Sequence, residues 1–180
     1  MATVTILYAS TSGHTEYVTQ LLEECWHDEK SLAVRRIRAE VARSDDLLGS
    51  DILVLASGTW NAGGQEGHLN LHMHEFLFDR AKNADLQGTM VAIIALGDDR
   101  YFYTCRAGEH LRRFVQTHGG EVMEPALLIV NEPYGQEEKI RLWSNKLQKA
   151  LLAPPSSARL PDESEPRRSA LAQPGSAETQ

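Results

Sequence analysis

The chain has 180 residues and a mass of 20.0 kDa, the size of one domain with a core of useful extent. Its formal net charge of -7 and pI near 5.5 argue against the basic face that nucleic-acid phosphates require, so no nucleic-acid partner is expected. No apolar run reaches the ~18 residues of a membrane span, and the N-terminus lacks a basic segment followed by an apolar one. The expectation is a cytoplasmic protein without membrane contact. Cys25 and Cys105 lie far apart and read as reduced thiols.

In chain order, "TVTILYAS" (3–10) predicts a buried strand. Tyr17, Val18, Leu21, Leu22, Cys25 and Trp26 repeat at helical spacing and predict a helix over about 14–28. "LAVRRIRAE" (32–40) is a weaker strand, placed near an edge because its arginines need water. "DILVLASG" (51–58) is a second buried strand, followed by a helix over roughly 67–82. "MVAIIALG" (90–97) is a third, and Leu111, Phe114 and Val115 place a helix at about 105–118. "EVMEPALLIV" (121–130) is the last strand. Ile140, Trp143, Leu147 and Leu151 share one face of the last helix.

Composition then changes. Residues 153–180 hold five of the seven prolines, with Leu160 and Leu171 as their only large apolar residues. Such a segment buries too little surface to offset its ordering entropy, so residues 1–152 are expected to form the domain and 153–180 a disordered tail.

Five βα units with strands apolar on both faces predict an α/β fold, a parallel sheet covered by helices on both sides. Ligands in such sheets bind outside the carboxyl ends of the strands. Loops 9–15, 57–68 and 97–105 are therefore the candidate site.

In the first loop, "STSGHT" (Ser10, Thr11, Ser12, Gly13, His14, Thr15) opens a helix. Unpaired N–H groups and partial positive charge at a helix start suit an anion, four hydroxyls add donors, and Gly13 permits close approach. Neutral donors of this kind suit a monophosphate, and a capped Ser/Thr-rich turn is the structural alternative. Neither G-x-x-x-x-G-K-[ST] nor G-x-G-x-x-G is present, so a triphosphate or a dinucleotide is not expected at this turn. Trp60 follows the third strand, and Tyr101 and Tyr103 follow the fourth. Each aromatic alone reads as a loop anchor; together, beside a phosphate loop, they read as a sandwich for a planar ring. His68, His72 and His74 lack the flanking acid or cysteine of a metal motif, so no metal is expected.

Three segments in order, "STSGHTEYV", "TWNAG" and "GDDRYFYTC", resemble the FMN-phosphate loop and the two ring-stacking loops of the flavodoxins, over roughly residues 2–151. Without the long-chain insertion in the last strand, the chain resembles the short-chain type. The resemblance implies a three-layer αβα sandwich with a five-stranded parallel sheet of order 2-1-3-4-5, an order for which flavodoxin is a type example. It implies FMN as cofactor, its phosphate on Ser10 to Thr15 and its ring between Trp60 and Tyr101. Thr59, Asn61, Ala62, Gly97, Asp98, Tyr103 and Cys105 would complete the ring site. The implied function is a low-potential one-electron carrier, a monomer exchanging electrons with a flavin reductase or iron–sulfur proteins. The alternatives are an FMN-dependent NAD(P)H oxidoreductase and a flavin-free interaction module.

The chain departs from that pattern at several points. His14 replaces the usual Asn, which brings a pH-dependent charge to the phosphate. Glu66 is the only acid near Trp60, and Arg100 follows Asp98 and Asp99. Less negative charge near the ring predicts easier full reduction than is usual in the family. Asn61 stands where a peptide accepts from flavin N5–H after one-electron reduction, a position Asn tolerates less freely than Gly.

Overall fold

The computed structural model describes residues 1–62 and 64–152. Five strands run parallel: β1 (Ala2–Ala9), β2 (Leu32–Arg38), β3 (Ile52–Ala62), β5 (Met90–Gly97) and β6 (Glu121–Val130), in the order β2-β1-β3-β5-β6. Counting the parallel strands alone, this is the expected 2-1-3-4-5 order. A sixth strand, β4 (Gln65–Leu69), pairs antiparallel with the end of β3. The expected disordered tail, 153–180, lies outside the described residues.

The sheet is a barrier between two cores because strand side chains alternate. In β3, Leu53 and Leu55 face one side with Leu7 and Ile93, while Ile52 and Val54 face the other with Ile6 and Ile94. The first side is closed by α2 (Leu71–Glu75), the π turn Phe76–Arg80 and α3 (Ala107–Thr117), which bring Met73, Phe76, Leu111 and Phe114. The second is closed by α1 (His14–Cys25) and α4 (Glu137–Leu152), which bring Val18, Leu22, Trp26, Ile140 and Trp143. Those side chains stand at 3- and 4-residue spacings, so each helix offers one apolar stripe. Among the described residues, no helix is long and apolar enough to cross a membrane.

β2 is an edge strand, as its arginines imply. Arg35 pairs with Asp46, Arg36 with Glu23, and Arg38 with both Glu16 and Glu40.

The segment after β3 differs from the sequence expectation. A single helix over 67–82 is replaced by β4, the short α2 and a π turn. β3 continues to Ala62, and Gly64 and Gly67, at φ 78° and 86°, let the chain fold back on it. A residue with a Cβ is strained at such angles. Asn70 then caps α2 by accepting from His72 N. The apolar spacing of Leu69, Met73, Phe76 and Leu77 mimics one helix because β4 delivers Leu69 into the same core.

Ile94 has no exposed surface in β5, between β3 and β6. Ile94→Ala should lower the unfolding free energy by about 2–5 kcal/mol, read as a lower urea midpoint at unchanged slope.

Candidate functional site

The parallel strands deliver four loops to one edge of the sheet, where they enclose a cavity of about 510 Å³. Thr11, Ser12, His14 and Thr15 line it from the β1–α1 loop, with Gly58, Thr59 and Trp60 from β3. Leu96 to Arg100 line it from the end of β5, and Asn131 and Glu132 from the loop after β6.

The first loop has features that suit an anion. Gly13 sits at φ 89°, just before α1, with open space where a Cβ would stand. Ser10 is 6% exposed, and its Oγ is buried with no hydrogen-bond partner among the described residues. A buried hydroxyl left unpaired is costly, and an acceptor oxygen placed in the loop would remove that cost. Thr15 is also buried. From outside, Arg38 Nη2 donates to the Ser10 carbonyl at 2.9 Å and Asn70 Nδ2 donates to Thr11 Oγ1 at 2.8 Å. These features fit a phosphate monoester held by neutral donors at a helix start.

Of the other residues singled out from the sequence, Thr59, Trp60, Gly97 and Asp98 also line the cavity. Thr59 Oγ1 accepts from Ala107 N at 3.0 Å. Trp60 is 38% exposed, part of β3 rather than of a loop beyond it, and faces His68 in the β4 pairing. Asn61 and Ala62 form the exposed end of β3, outside the cavity lining. Tyr101 is exposed in the loop after β5 and also lies outside the lining. Tyr103 turns away, packing against Gly67 with the Arg106 guanidinium 4.1 Å from its ring centre. Cys105 is buried behind Gly97, with its Sγ 3.5 Å from Ile129 O, and burial pushes its thiol pKa up. A Cβ on Gly97 would stand 2.2 Å from Cys105 N, so only glycine permits this approach.

His72 Nε2 lies 3.9 Å from Glu40, and the His74 ring packs on Phe78. Among the described residues, no group of three or more His, Cys, Asp or Glu is placed to hold a metal.

The fourth loop was not anticipated. Asn131, at φ 65°, donates its N–H to Gly97 O at 2.7 Å, and its side chain accepts from Asp99 N and donates to Asp99 Oδ2. Glu132 Oε2 lies 3.0 Å from His14 Nε2, and the His14 ring meets Tyr134 edge-on. The signal was an Asn, tolerant of positive φ, directly after an apolar strand in "IVNEP". Next to the Asn131–Asp99 contact, in the loop after β5, Arg100 Nε donates to Asp98 Oδ1 at 2.9 Å. The Arg100 side-chain and backbone hydrogen bonds hold the Asp98 carboxyl down at about 2, and Asp98 raises Arg100 in turn.

Residues 6–143 match the family profile described as Flavodoxin. The chain belongs to the flavodoxin family. It is 28% identical over 142 residues to the flavodoxin of Maridesulfovibrio salexigens, covering 78% of this chain and 92% of that one. It is 26% identical over 141 residues to a probable flavodoxin 2 of Bacillus subtilis, covering 77% and 89%. The crystal structure of oxidised Flavodoxin 2 from Bacillus cereus superposes with a TM-score of 0.74 at 28% identity, covering 83% of this chain and 99% of that one. As a flavodoxin, the protein is an FMN-binding electron carrier and not an enzyme, and it passes electrons between redox partners.

One pH response follows from this geometry. The Asp98 carboxyl should titrate near pH 2 in the folded protein, read from its carboxyl carbon by NMR, and Arg100→Gln should return it toward the ordinary range. Because the folded pKa is depressed, this pair's contribution to stability is complete above the unfolded value near 4 and is lost as pH falls toward 2. His14 lines the cavity from the first loop, with its Nε2 3.0 Å from the Glu132 carboxylate of the fourth.

Proposed function

We propose that Ser10, Thr11, Ser12, Gly13, His14 and Thr15 hold the FMN phosphate, and that Trp60 and Tyr101 cover the two faces of the ring. The observation that carries this reading is one cavity in which Thr11, Ser12, the start of α1 and Trp60 come together, with the Ser10 hydroxyl, unpartnered among the described residues, in the same loop behind that lining. Thr59, Asn61, Ala62, Gly97 and Asp98 approach the ring edge, chiefly through backbone groups. Tyr103 and Cys105 support that edge from behind, since one packs on Gly67 and the other on Gly97. Bound FMN supplies one-electron chemistry, accepting from one redox protein and donating to another.

The residues of this chain set how readily each electron is accepted. Asp98 and Asp99 place negative charge at the cavity rim, and Arg100 offsets it through its contacts with Asp98. Full reduction is therefore easier than with an all-acidic rim. Phe102 stands 86% exposed beside Tyr101 and gives an apolar centre to the loop face, against which a flavin reductase or an iron–sulfur protein docks. The working form is a cytoplasmic monomer whose domain ends near residue 152.

The experiment is a visible spectrum of the purified protein followed by stepwise dithionite reduction. Flavin bands and two separate one-electron stages are expected, whereas direct passage to the fully reduced form would favour a two-electron reductase. Arg100→Gln should move the second midpoint to a lower potential in a spectroelectrochemical titration and leave the first less affected. An unchanged second midpoint would remove Arg100 from the account.

A further inference from the structure

Asn70 lies at the junction of β4 and α2, 1% exposed, and reaches the first loop across 59 residues of sequence. Its backbone N–H lies 3.2 Å from both Gly58 O and Ser57 Oγ, and its carbonyl accepts from His74 N at 2.9 Å. The orientation of its amide is fixed by chemistry. His72 N is a donor and lies 3.1 Å from Oδ1, so that atom is the oxygen. The atom facing Thr11 Oγ1 at 2.8 Å is then the NH₂, which can only donate.

That assignment makes Thr11 Oγ1 the acceptor of this bond. Its hydroxyl oxygen accepts from Asn70, so its hydrogen is directed elsewhere, and it meets no acceptor among the described residues. Thr11 lines the cavity beside Ser12. A hydroxyl that accepts from an amide is also a stronger donor, because hydrogen bonds in a chain polarise one another.

We propose that Asn70 is a positioning residue for phosphate recognition, one that holds the Thr11 hydroxyl oriented so that its hydrogen is free to donate to the FMN phosphate. The proposal rests on the FMN reading of the cavity. It extends the site to a residue that does not line it, on the β4–α2 segment that also carries the π turn. It assigns this segment a part in distinguishing phosphorylated from unphosphorylated flavin.

The test compares FMN and riboflavin, which share the ring and differ at the phosphate. Dissociation constants for both are measured by flavin fluorescence quenching on wild type, Asn70→Ala, Thr11→Val and the double variant. Asn70→Ala should weaken FMN by about tenfold, the range of a hydrogen bond to a charged group, and change riboflavin by less than about twofold. In the Thr11→Val background the same change should alter FMN by less than about twofold, because the hydroxyl through which Asn70 acts is gone.

Equal losses for FMN and riboflavin would make Asn70 a structural cap only. A loss of FMN that is the same with and without the Thr11 hydroxyl would also overturn the proposal. If Asn70→Ala does not fold, Asn70→Asp retains the acceptor for His72 N and reverses the bond to Thr11. FMN should then weaken more than riboflavin, and a ratio like that of wild type would refute the idea. Wild type that binds neither flavin would instead overturn the FMN reading itself.

Discussion

Parallel pairing of β1 with β3, and of β3 with β5, places three strand ends side by side at one edge of the sheet. Residue-by-residue register from Val4↔Ile52 to Ala9↔Ser57 leaves no freedom in where the following loops begin. The pairing of β3 with β5 continues to Gly58↔Leu96. Burial on both faces locks that register, since a one-residue slip would exchange the two cores. The β1–α1 loop, Trp60 and the Asp98–Arg100 pair are neighbours because the strands beneath them cannot slide.

The loops themselves are held by bonds made from outside. Arg38 fixes the Ser10 carbonyl while also engaging Glu16 and Glu40, so an edge-strand arginine spans from α1 to the loop. Asn131 closes the β5 loop by pairing with both Gly97 and Asp99. Neither residue belongs to the motifs that carry the family resemblance. Preorganisation of this kind lowers the ordering that a ligand must cause when it binds.

Much of the architecture was legible because apolar runs and helical spacings report burial directly. The parallel strands and the helices after β1, β5 and β6 were read within a few residues of where they lie. β4 was missed for a physical reason: its Leu69 packs with Met73 and Phe76 at a spacing that a helix would also produce. Six of the residues that line the cavity were not singled out from the sequence: Gly58, Asp99 and Arg100 lie within the candidate loops, and Leu96, Asn131 and Glu132 lie outside them. Arg100 had been noted for its charge alone. Asn131 and Glu132 follow a strand not assigned to the site, and only the sheet order brings them near His14. Tyr103 shows the converse. Its type and position suited a stacking role, but Gly67 leaves a space that its ring fills.

The hairpin carrying Trp60 and the loop carrying Tyr101 are tied to each other and to α3. Glu66 accepts from Phe102 N at 3.0 Å, and His110 Nε2 lies 2.8 Å from Gly67 O. A shift of the hairpin away from the loop after β5 therefore has to break the Glu66 bond to Phe102, and a shift away from α3 the His110 contact, so the mouth of the cavity is braced by contacts from residues that do not line it.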